Sequence, residues 1–294
     1  MKQQRRGAAG APHRDFATRT PRVKIFVSLA LGAVAAGWLA AAMAKASSGR
    51  AMIEPAALYP DDRRRPMTSE DYRRYPGAGV LFCRDGEGVP RRAAAAWLIE
   101  SRRLVMMNAH NFRDPNAEAT RGIDECFFQI AGRNYAFSSG SLELGVADDA
   151  RRLHITDDWA LARLREPVDW SAAPQPVPRT SALATGDAIV EVTMVSPAGH
   201  ANFTGPSSIE TCAIHKIDPP TEDGIRRARH DCNDGYGGSG SGLFDEAGHL
   251  IAMQSASLDM NRRLAFDIGS HYGSAILIEG KLLDAILQNV EASP

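Results

Sequence analysis

The 294-residue sequence lacks an excess of charge of either sign, since 34 basic residues are matched by 35 acidic ones. A protein that binds nucleic acid through its phosphates usually carries a surplus of Lys and Arg. The composition therefore argues against a nucleic-acid partner. Apolar residues make up 44% of the chain, which is enough for a sizeable core in one large domain or two modest ones.

The sequence also lacks internal repeats of fixed period and, over most of its length, helical periodicity. From about Gly77, short apolar runs such as AGVLFC, RLVMMNA, AIVEVTMVS and HLIAMQS alternate with Gly, Pro, Asp or Asn. Runs of this length predict the strands of an all-β barrel or sandwich. Only EGKLLDAILQNV near the end predicts a helix, whose apolar side is formed by Leu282, Leu283, Ile286, Leu287 and Val290.

One stretch lacks charge altogether: residues 25–44, IFVSLALGAVAAGWLAAAMA. Seven basic residues and one acidic residue precede it, and a basic region followed by an apolar run indicates an export signal. Small residues at 42, 44 and 46 fit a cleavage site, yet the run also just reaches the length that spans a bilayer. Cleavage and retention as a membrane anchor both stay open. Either way, the sequence predicts that the C-terminal part is periplasmic or secreted.

Residues 45–76 contain SSGR, DDRRRP and SEDYRRYP and show little periodic apolar pattern. Segments of this composition are typical of a linker or a pro-segment. The sequence therefore predicts three regions: 1–44 as the cytoplasmic region with its signal or anchor, 45–76 as the linker or pro-segment, and 77–294 as the folded domain.

Cysteine is scarce, with four residues at 83, 126, 212 and 232. An even number in an exported chain predicts disulfides, and four cysteines allow three pairings. We favour Cys83–Cys126 and Cys212–Cys232, because each bond closes a loop within one half of the domain. The alternative is a zinc site, and its ligands would be Cys212, His215, His230 and Cys232. The one-residue gap between the last two matches zinc spacing poorly, so no metal is expected.

The glycine-rich run NDGYGGSGSGLF, residues 233–244, lacks what a phosphate-binding loop needs. No lysine follows it, and the next residues predict strand, turn and strand rather than a helix. A flexible linker is also disfavoured, because apolar strands flank the run closely and Cys232 lies just upstream. The remaining interpretation is a tight turn that presents Ser239.

Three fragments supply the parts of a nucleophilic site: LVMMNAHNF contains His110, ITDDWALARL contains Asp158, and GGSGSGLF contains Ser239. A serine hydroxyl is a weak nucleophile unless an imidazole removes its proton. The imidazole works best when a buried carboxylate fixes its tautomer and stabilises its charged form.

These fragments resemble, in the same order, the blocks T-A-A-H-C, D-I/V-A-L and G-D-S-G-G-P-L of the trypsin/chymotrypsin-like serine proteases. The third is also similar to G-N-S-G-S-P-V of the bacterial exported branch, which includes the glutamyl endopeptidases. The resemblance covers Gly77 to the C-terminus and implies two six-stranded antiparallel β-barrels with a C-terminal helix. It further implies a monomeric serine endopeptidase that acts on proteins or peptides through an acyl-enzyme, without cofactor or metal.

The same resemblance assigns roles: Ser239 as nucleophile, His110 as base, Asp158 as orienting carboxylate, and the N–H groups of Gly237 and Ser239 as oxyanion hole. Asp157 and Ser241 are rivals, but the motif positions favour Asp158 and Ser239. Gly238 stands where animal members carry an aspartate that pairs with a newly cut N-terminus. Activation by that salt bridge is therefore not expected.

For substrate binding, the resemblance places Asn233 and Asp234 at the pocket floor, the stretch from Ser255 to Ser257 on one wall, and Gly273 on another. Asp234 in the pocket would favour a basic substrate side chain, whereas Asn233 would favour a small or polar one. Gln254 stands where glutamyl-specific relatives carry a histidine, so glutamate specificity is not expected. The alternative function is a catalytically inactive protease-fold module that binds or regulates a partner.

Overall fold

The computed structural model describes residues 59–180, 183–199, 205–233, 238–257 and 264–291. The predicted signal or anchor at 25–44 lies outside these residues, as do Asp234 and Gly237. Among the helices in the described part of the chain, none is both long enough and apolar enough to cross a membrane.

The fold is mostly β. Its described strands are β1 Arg65–Pro66, β2 Ala78–Arg84, β3 Pro90–Leu98, β4 Leu104–Met107, β5 Cys126–Ile130, β6 Arg133–Ala136, β7 Glu143–Leu144, β8 Ala160–Arg163, β9 Gly186–Ser196, β10 Ser208–Ile217, β11 Arg227–His230, β12 Gly242–Phe244, β13 Leu250–Ser257 and β14 Gly273–Leu277. Two α-helices, α1 Ser69–Arg74 and α2 Gly280–Glu291, and three short 3₁₀ turns complete the described elements.

The N-terminal half forms a curled antiparallel sheet in the order β6-β5-β2-β3-β4-β8-β7. Its ends approach each other where Phe137, just after β6, forms a bridge with Leu164, just after β8. Two further backbone hydrogen bonds join the same ends, Ser138 N–H to the Arg163 carbonyl at 2.7 Å and Arg165 N–H to the Ala136 carbonyl at 2.9 Å. The sheet therefore curls far enough to enclose its own core.

The C-terminal half closes completely within the described residues. Its six antiparallel strands follow the order β9-β10-β11-β14-β13-β12 and return to β9, and β1 adds to the outer edge at β10. This arrangement confirms the predicted all-β, chymotrypsin-like fold. The first barrel is the less complete of the two, since its closure depends on a single bridge and the neighbouring loop bonds.

Helix α2 packs where its amphipathic pattern predicts. Leu282, Leu283 and Ile286 are buried in the largest core cluster, and Leu287 and Val290 pack against its edge. That cluster combines residues of both sheets, including Trp97, Trp159, Phe244 and Met253. Burial of large apolar side chains stabilises a fold by about 1.5–3 kcal/mol each. The two halves are therefore held together by apolar packing, and the catalytic candidates lie where they meet.

Residues 59–76, which the sequence assigns to the linker or pro-segment, are ordered against the domain. Strand β1 pairs with β10, and the side chains of Tyr59 and Tyr75 are buried. Helix α1 begins with a capping box, in which Thr68 accepts a hydrogen bond from the Asp71 N–H and Asp71 accepts one from the Thr68 N–H. The T-S-E-D sequence at 68–71 is the local signal for this helix.

Both predicted disulfides are formed. Cys83 and Cys126 are opposite each other on β2 and β5, with their Cα atoms 4.0 Å apart. Cys212 on β10 is bonded to Cys232, which follows β11. Because this bond uses both sulfur atoms, the zinc site considered from the sequence loses two of its four ligands.

Candidate active site

The imidazole of His110 and the carboxylate of Asp158 are in direct contact. The backbone N–H of His110 donates to Asp158 Oδ1 at 2.7 Å, and the ring nitrogen His110 Nδ1 lies 2.8 Å from Asp158 Oδ2. The pair forms because β4 and β8 are neighbours: Met107 at the end of β4 is opposite Ala160 at the start of β8. His110 follows β4 in a 3₁₀ turn, and Asp158 precedes β8, so both side chains emerge at the same edge of the sheet.

The two groups differ in their exposure to solvent. The side chain of His110 is 33% exposed and that of Asp158 is 5% exposed. Burial lowers the pKa of His110, but the negative charge of Asp158 and its hydrogen bond outweigh this effect, so the pKa is raised above its ordinary value of 6.5. The imidazole therefore has one nitrogen fixed by a buried carboxylate while its ring reaches the surface. The rival Asp157 is not the residue that contacts His110.

Ser255 provides a third hydrogen bond to the Asp158 carboxylate. Its hydroxyl donates to Oδ2, the oxygen that also faces His110 Nδ1. The register of β13 against β14 shifts between Gln254 and Ala256, which makes Ser255 the extra residue of a β-bulge. Bulges re-aim a side chain out of the strand's regular alternation. The sequence predicts Ser255 on a pocket wall, whereas the structure directs its hydroxyl to Asp158 and buries it.

Asn108 is a buried polar residue at the end of the apolar strand β4, and the sequence interpretation gave it no role. Its Nδ2 donates to the Asp158 carbonyl at 3.1 Å and to the Gln254 carbonyl at 3.2 Å. It therefore ties the first half of the fold to β13 in the second half, next to the His110–Asp158 pair. A polar Asn directly after the apolar run LVMM is the sequence signal that could have identified it.

Ser239 lies in a turn that both halves of the fold hold. The Ser239 carbonyl accepts from Ala95 N–H of β3 at 2.9 Å, and Gly240 N–H donates to the Gln254 carbonyl at 2.9 Å. The indole of Trp97 donates to the Gly240 carbonyl at 2.8 Å. Gly240 has a φ of +79°, and a Cβ there would overlap the Ala95 carbonyl, so glycine is required on both grounds.

These contacts bring the Ser239 turn close to the His110–Asp158 pair through one shared acceptor. The Gln254 carbonyl accepts from both Gly240 N–H and Asn108 Nδ2. Ser239 itself is half-buried, whereas the rival Ser241 is fully buried and donates to Ser196 Oγ at 2.7 Å. Of the two serines, Ser239 is therefore the one that solvent can reach.

The residues predicted to bind substrate have different surroundings. Asn233 is buried and contacts Tyr59, Asp61 and Glu210. Gly273 has no room for a side chain, because a Cβ would overlap the ring of His230. Ser257 ends β13, and its side chain lies outside the described structure, as do Asp234 and Gly237.

A buried histidine accompanies Gln254 at this end of the second barrel. His230 Nε2 lies 2.5 Å from Gln254 Oε1, and His230 Nδ1 accepts from Cys232 N–H at 3.2 Å. Burial lowers the pKa of His230 to about 4, although the bond to Gln254 raises it in part, so the ring is neutral near pH 7. Strand β11 thus places an imidazole beside Gln254, the residue that stands where glutamyl-specific relatives carry a histidine.

Fold and site together define a protein with the chymotrypsin-like two-barrel fold, in which a His–Asp pair and the turn of Ser239 are joined through the Gln254 carbonyl where the halves meet. The family model of the trypsin-like peptidase domain matches residues 94–253. The chain therefore belongs to the trypsin-like peptidase family.

Two solved structures are similar to this chain at low sequence identity, and the first of them supports the fold. A doubly substituted form of human heparin binding protein (CAP37) is 13% identical, with a TM-score of 0.52 over 80% of this chain and 98% of that one. The thermostable serine protease AL20 from an extremophilic microorganism is 14% identical, with a TM-score of 0.49 over 74% and 99% of the two chains. No curated protein matches the sequence.

Proposed function

We propose that this protein is a serine endopeptidase that hydrolyses peptide bonds through Ser239, His110 and Asp158. The observation that carries the proposal is the contact between His110 Nδ1 and the buried Asp158 carboxylate, beside a turn of Ser239 held by both halves of the fold. Membership of the trypsin-like peptidase family supports protease chemistry.

In the proposed mechanism, His110 Nε2 takes the proton of the Ser239 hydroxyl while the oxygen attacks the substrate carbonyl carbon. Asp158 keeps the Nδ1 proton in place and stabilises the imidazolium that forms. The imidazolium then donates its proton to the leaving amine, and the acyl-enzyme on Ser239 is hydrolysed by a water that His110 deprotonates. Hydrogen bonds from Ser255 and Asn108 Nδ2 hold the Asp158 carboxylate in position. Gly237 and Ser239 are the proposed oxyanion donors.

The substrate is a protein or peptide, and no metal or organic cofactor takes part in the proposed chemistry. Asn233, Asp234, Ser255, Ser257 and Gly273 remain proposed residues of the binding side. The glutamyl endopeptidase branch remains a sequence-based hypothesis. The two disulfides are typical of a protein that folds outside the cytoplasm, which supports a periplasmic or secreted location. Anchoring through residues 25–44 and a monomeric state are part of the same proposal.

A fluorophosphonate probe tests the nucleophile. Wild type should become labelled, Ser239→Ala should not, and the exposed-site control Ser171→Ala should label at the wild-type rate. Peptide mapping should locate the phosphonate on Ser239 and not on Ser241. Labelling of Ser239→Ala equal to that of wild type would refute the assignment.

The second candidate is an inactive protease-fold module that binds or regulates a partner. A solved structure of similar fold is named for heparin binding, and a fold by itself does not define an activity, so a binding role is kept as the alternative. Absence of labelling in folded wild type, with no cleavage of a mixed peptide library, would support this candidate.

A further inference from the structure

The segment just before β1 is bonded to the strand ends around the proposed binding side. Tyr59 is only 5% exposed, although it lies at the start of the described chain. Its hydroxyl donates to the His230 carbonyl at 3.2 Å and accepts from Gly273 N–H at 3.1 Å. Its ring packs edge-on against Phe266 and His271. These partners follow Tyr59 by 171 residues or more in the sequence.

The side chain of Asn233 forms hydrogen bonds with the backbone of residues 59–61 at two points. Its Oδ1 accepts from Tyr59 N–H at 2.9 Å, and its Nδ2 donates to the Asp61 carbonyl at 2.7 Å. Residues 59–61 form a bend in the chain. The Asn233 side-chain amide therefore holds this bend at both ends, at the Tyr59 N–H and at the Asp61 carbonyl.

The carboxyl group of Glu210 contacts both the backbone and the side chain of Asn233. One of its carboxyl oxygens accepts from Asn233 N–H, and the other lies 3.4 Å from Asn233 Nδ2. Glu210 is on β10, next to Ile209, which is opposite Arg65 of β1. Asn233 is thus held between β10 on one side and residues 59–61 on the other, and it is only 1% exposed.

Asn233 lies close in the sequence to Ser239, the proposed nucleophile, so the contacts of residues 59–61 with Asn233 bear on the proposed reaction. It lies six residues before Ser239, whose turn is held at its far end by Ala95, Trp97 and Gln254. In the family pattern, an aspartate before the serine pairs with a cut N-terminus, but Gly238 offers no carboxylate at that place.

We propose that residues 59–61 form an internal brace, in which Tyr59 and the Asp61 carbonyl position Asn233 and thereby the chain leading to Ser239. The brace rests on the proposed function, because its role is to position the nucleophile. Tyr59, Asn233 and Glu210 are accordingly positioning residues. Cleavage at the arginines that follow, Arg63 to Arg65, would release the brace and lower activity.

The test compares Tyr59→Phe with Tyr72→Phe in the full chain. Both changes remove one hydroxyl, but Tyr72 is 44% exposed and contacts none of the brace. We expect the fluorophosphonate labelling rate of Ser239 to fall about tenfold in Tyr59→Phe, and to stay within about twofold in Tyr72→Phe, because a buried N–H loses its acceptor only in the first. Asn233→Asp, which cannot donate to the Asp61 carbonyl, should reproduce the loss.

Amide hydrogen exchange gives a second measurement that does not depend on catalysis. If residues 59–61 act as a brace, the backbone amides of Gly240 and Ser241 should exchange faster in Tyr59→Phe. The amide of Gly273 should also exchange faster, because its N–H loses the Tyr59 hydroxyl as acceptor. A purely local role predicts faster exchange at Gly273 alone and an unchanged labelling rate, and that result would overturn the proposal. If wild type is not labelled at all, the proposed function fails, and exchange at Gly240 and Ser241 still decides for or against the brace.

Discussion

The burial of the Glu210 carboxyl group leads us to expect a measurable pH dependence of the free energy of unfolding. Burial raises the pKa of Glu210 to about 8 from its ordinary 4.5, although hydrogen bonds from Asn233 and the charges of Arg64 and Arg63 act to lower it. The side chain is 5% exposed, so solvent screens this effect little. Glu210→Gln keeps the shape of the neutral group and removes its ionisation.

The direction of the pH dependence follows from the number of protons that the native and unfolded states bind. Between pH 4.5 and 8 the unfolded chain has lost the Glu210 proton while the native protein retains it. The native state therefore binds more protons, and stability falls as the pH rises through this interval. Ionisation in the folded state costs at most about 5 kcal/mol for a shift of this size. About 1 kcal/mol of that cost is present at pH 5 and nearly all of it at pH 9.

The measurement is urea unfolding of Glu210→Gln and its parent at pH 5, 7 and 9. A Ser239→Ala background prevents self-cleavage, and Glu87→Gln at an exposed position is the matched control. The stability of Glu210→Gln relative to its parent should increase by about 4 kcal/mol from pH 5 to pH 9. A difference that stays constant to within about 0.5 kcal/mol across this range would refute the burial argument, since such changes are at the level of ordinary surface substitutions.

Three further predictions concern the site and the disulfides. Asp158→Asn should lower kcat roughly 10⁴-fold, as the equivalent change does in the family's template triad. It should also move the acidic limb of the pH profile of kcat/KM to lower pH, because the Asp158 charge that raises the pKa of His110 is lost. Ser255→Ala removes one hydrogen bond to the Asp158 carboxylate and should lower kcat/KM about tenfold with little change in KM. Replacing both cysteines of Cys83–Cys126, which are 43 residues apart, should destabilise the inactive Ser239→Ala protein by about 4 kcal/mol, against about 3 kcal/mol for Cys212–Cys232, which are 20 apart.

For each of these three predictions, one result would contradict the reasoning. Asp157→Asn is the control for Asp158→Asn, and equal losses of kcat in the two variants would contradict the assignment of Asp158. An unchanged kcat/KM in Ser255→Ala would mean that its hydroxyl does not position Asp158. For the disulfides, chemical unfolding at one pH gives both free energies, and a larger loss for the shorter loop would contradict the loop-closure argument.

The sequence predicted the fold correctly because the signals that specify it are local. Apolar runs of strand length with turn residues between them predict an all-β barrel or sandwich, and an amphipathic end at 279–290 predicts a terminal helix, while the resemblance to the trypsin/chymotrypsin-like proteases implies the two barrels. The order of His110, Asp158 and Ser239 in their short blocks likewise identified the candidate triad. The disulfide pairing also followed, since each bond joins cysteines of the same half.

Contacts between distant parts of the chain were decided only by the tertiary structure. Ser255 meets Asp158 across 97 residues through a β-bulge, and a bulge leaves no mark in the pattern MQSAS that distinguishes a hydroxyl on a pocket wall from one turned to a carboxylate. Asn108 reaches the Gln254 carbonyl across 146 residues. Tyr59 meets Gly273 across 214 residues, and the polar composition of 45–76 gives no sign of it. Strand pairing brings such residues together, and a one-dimensional pattern records which face a residue occupies but not which distant residue it will meet.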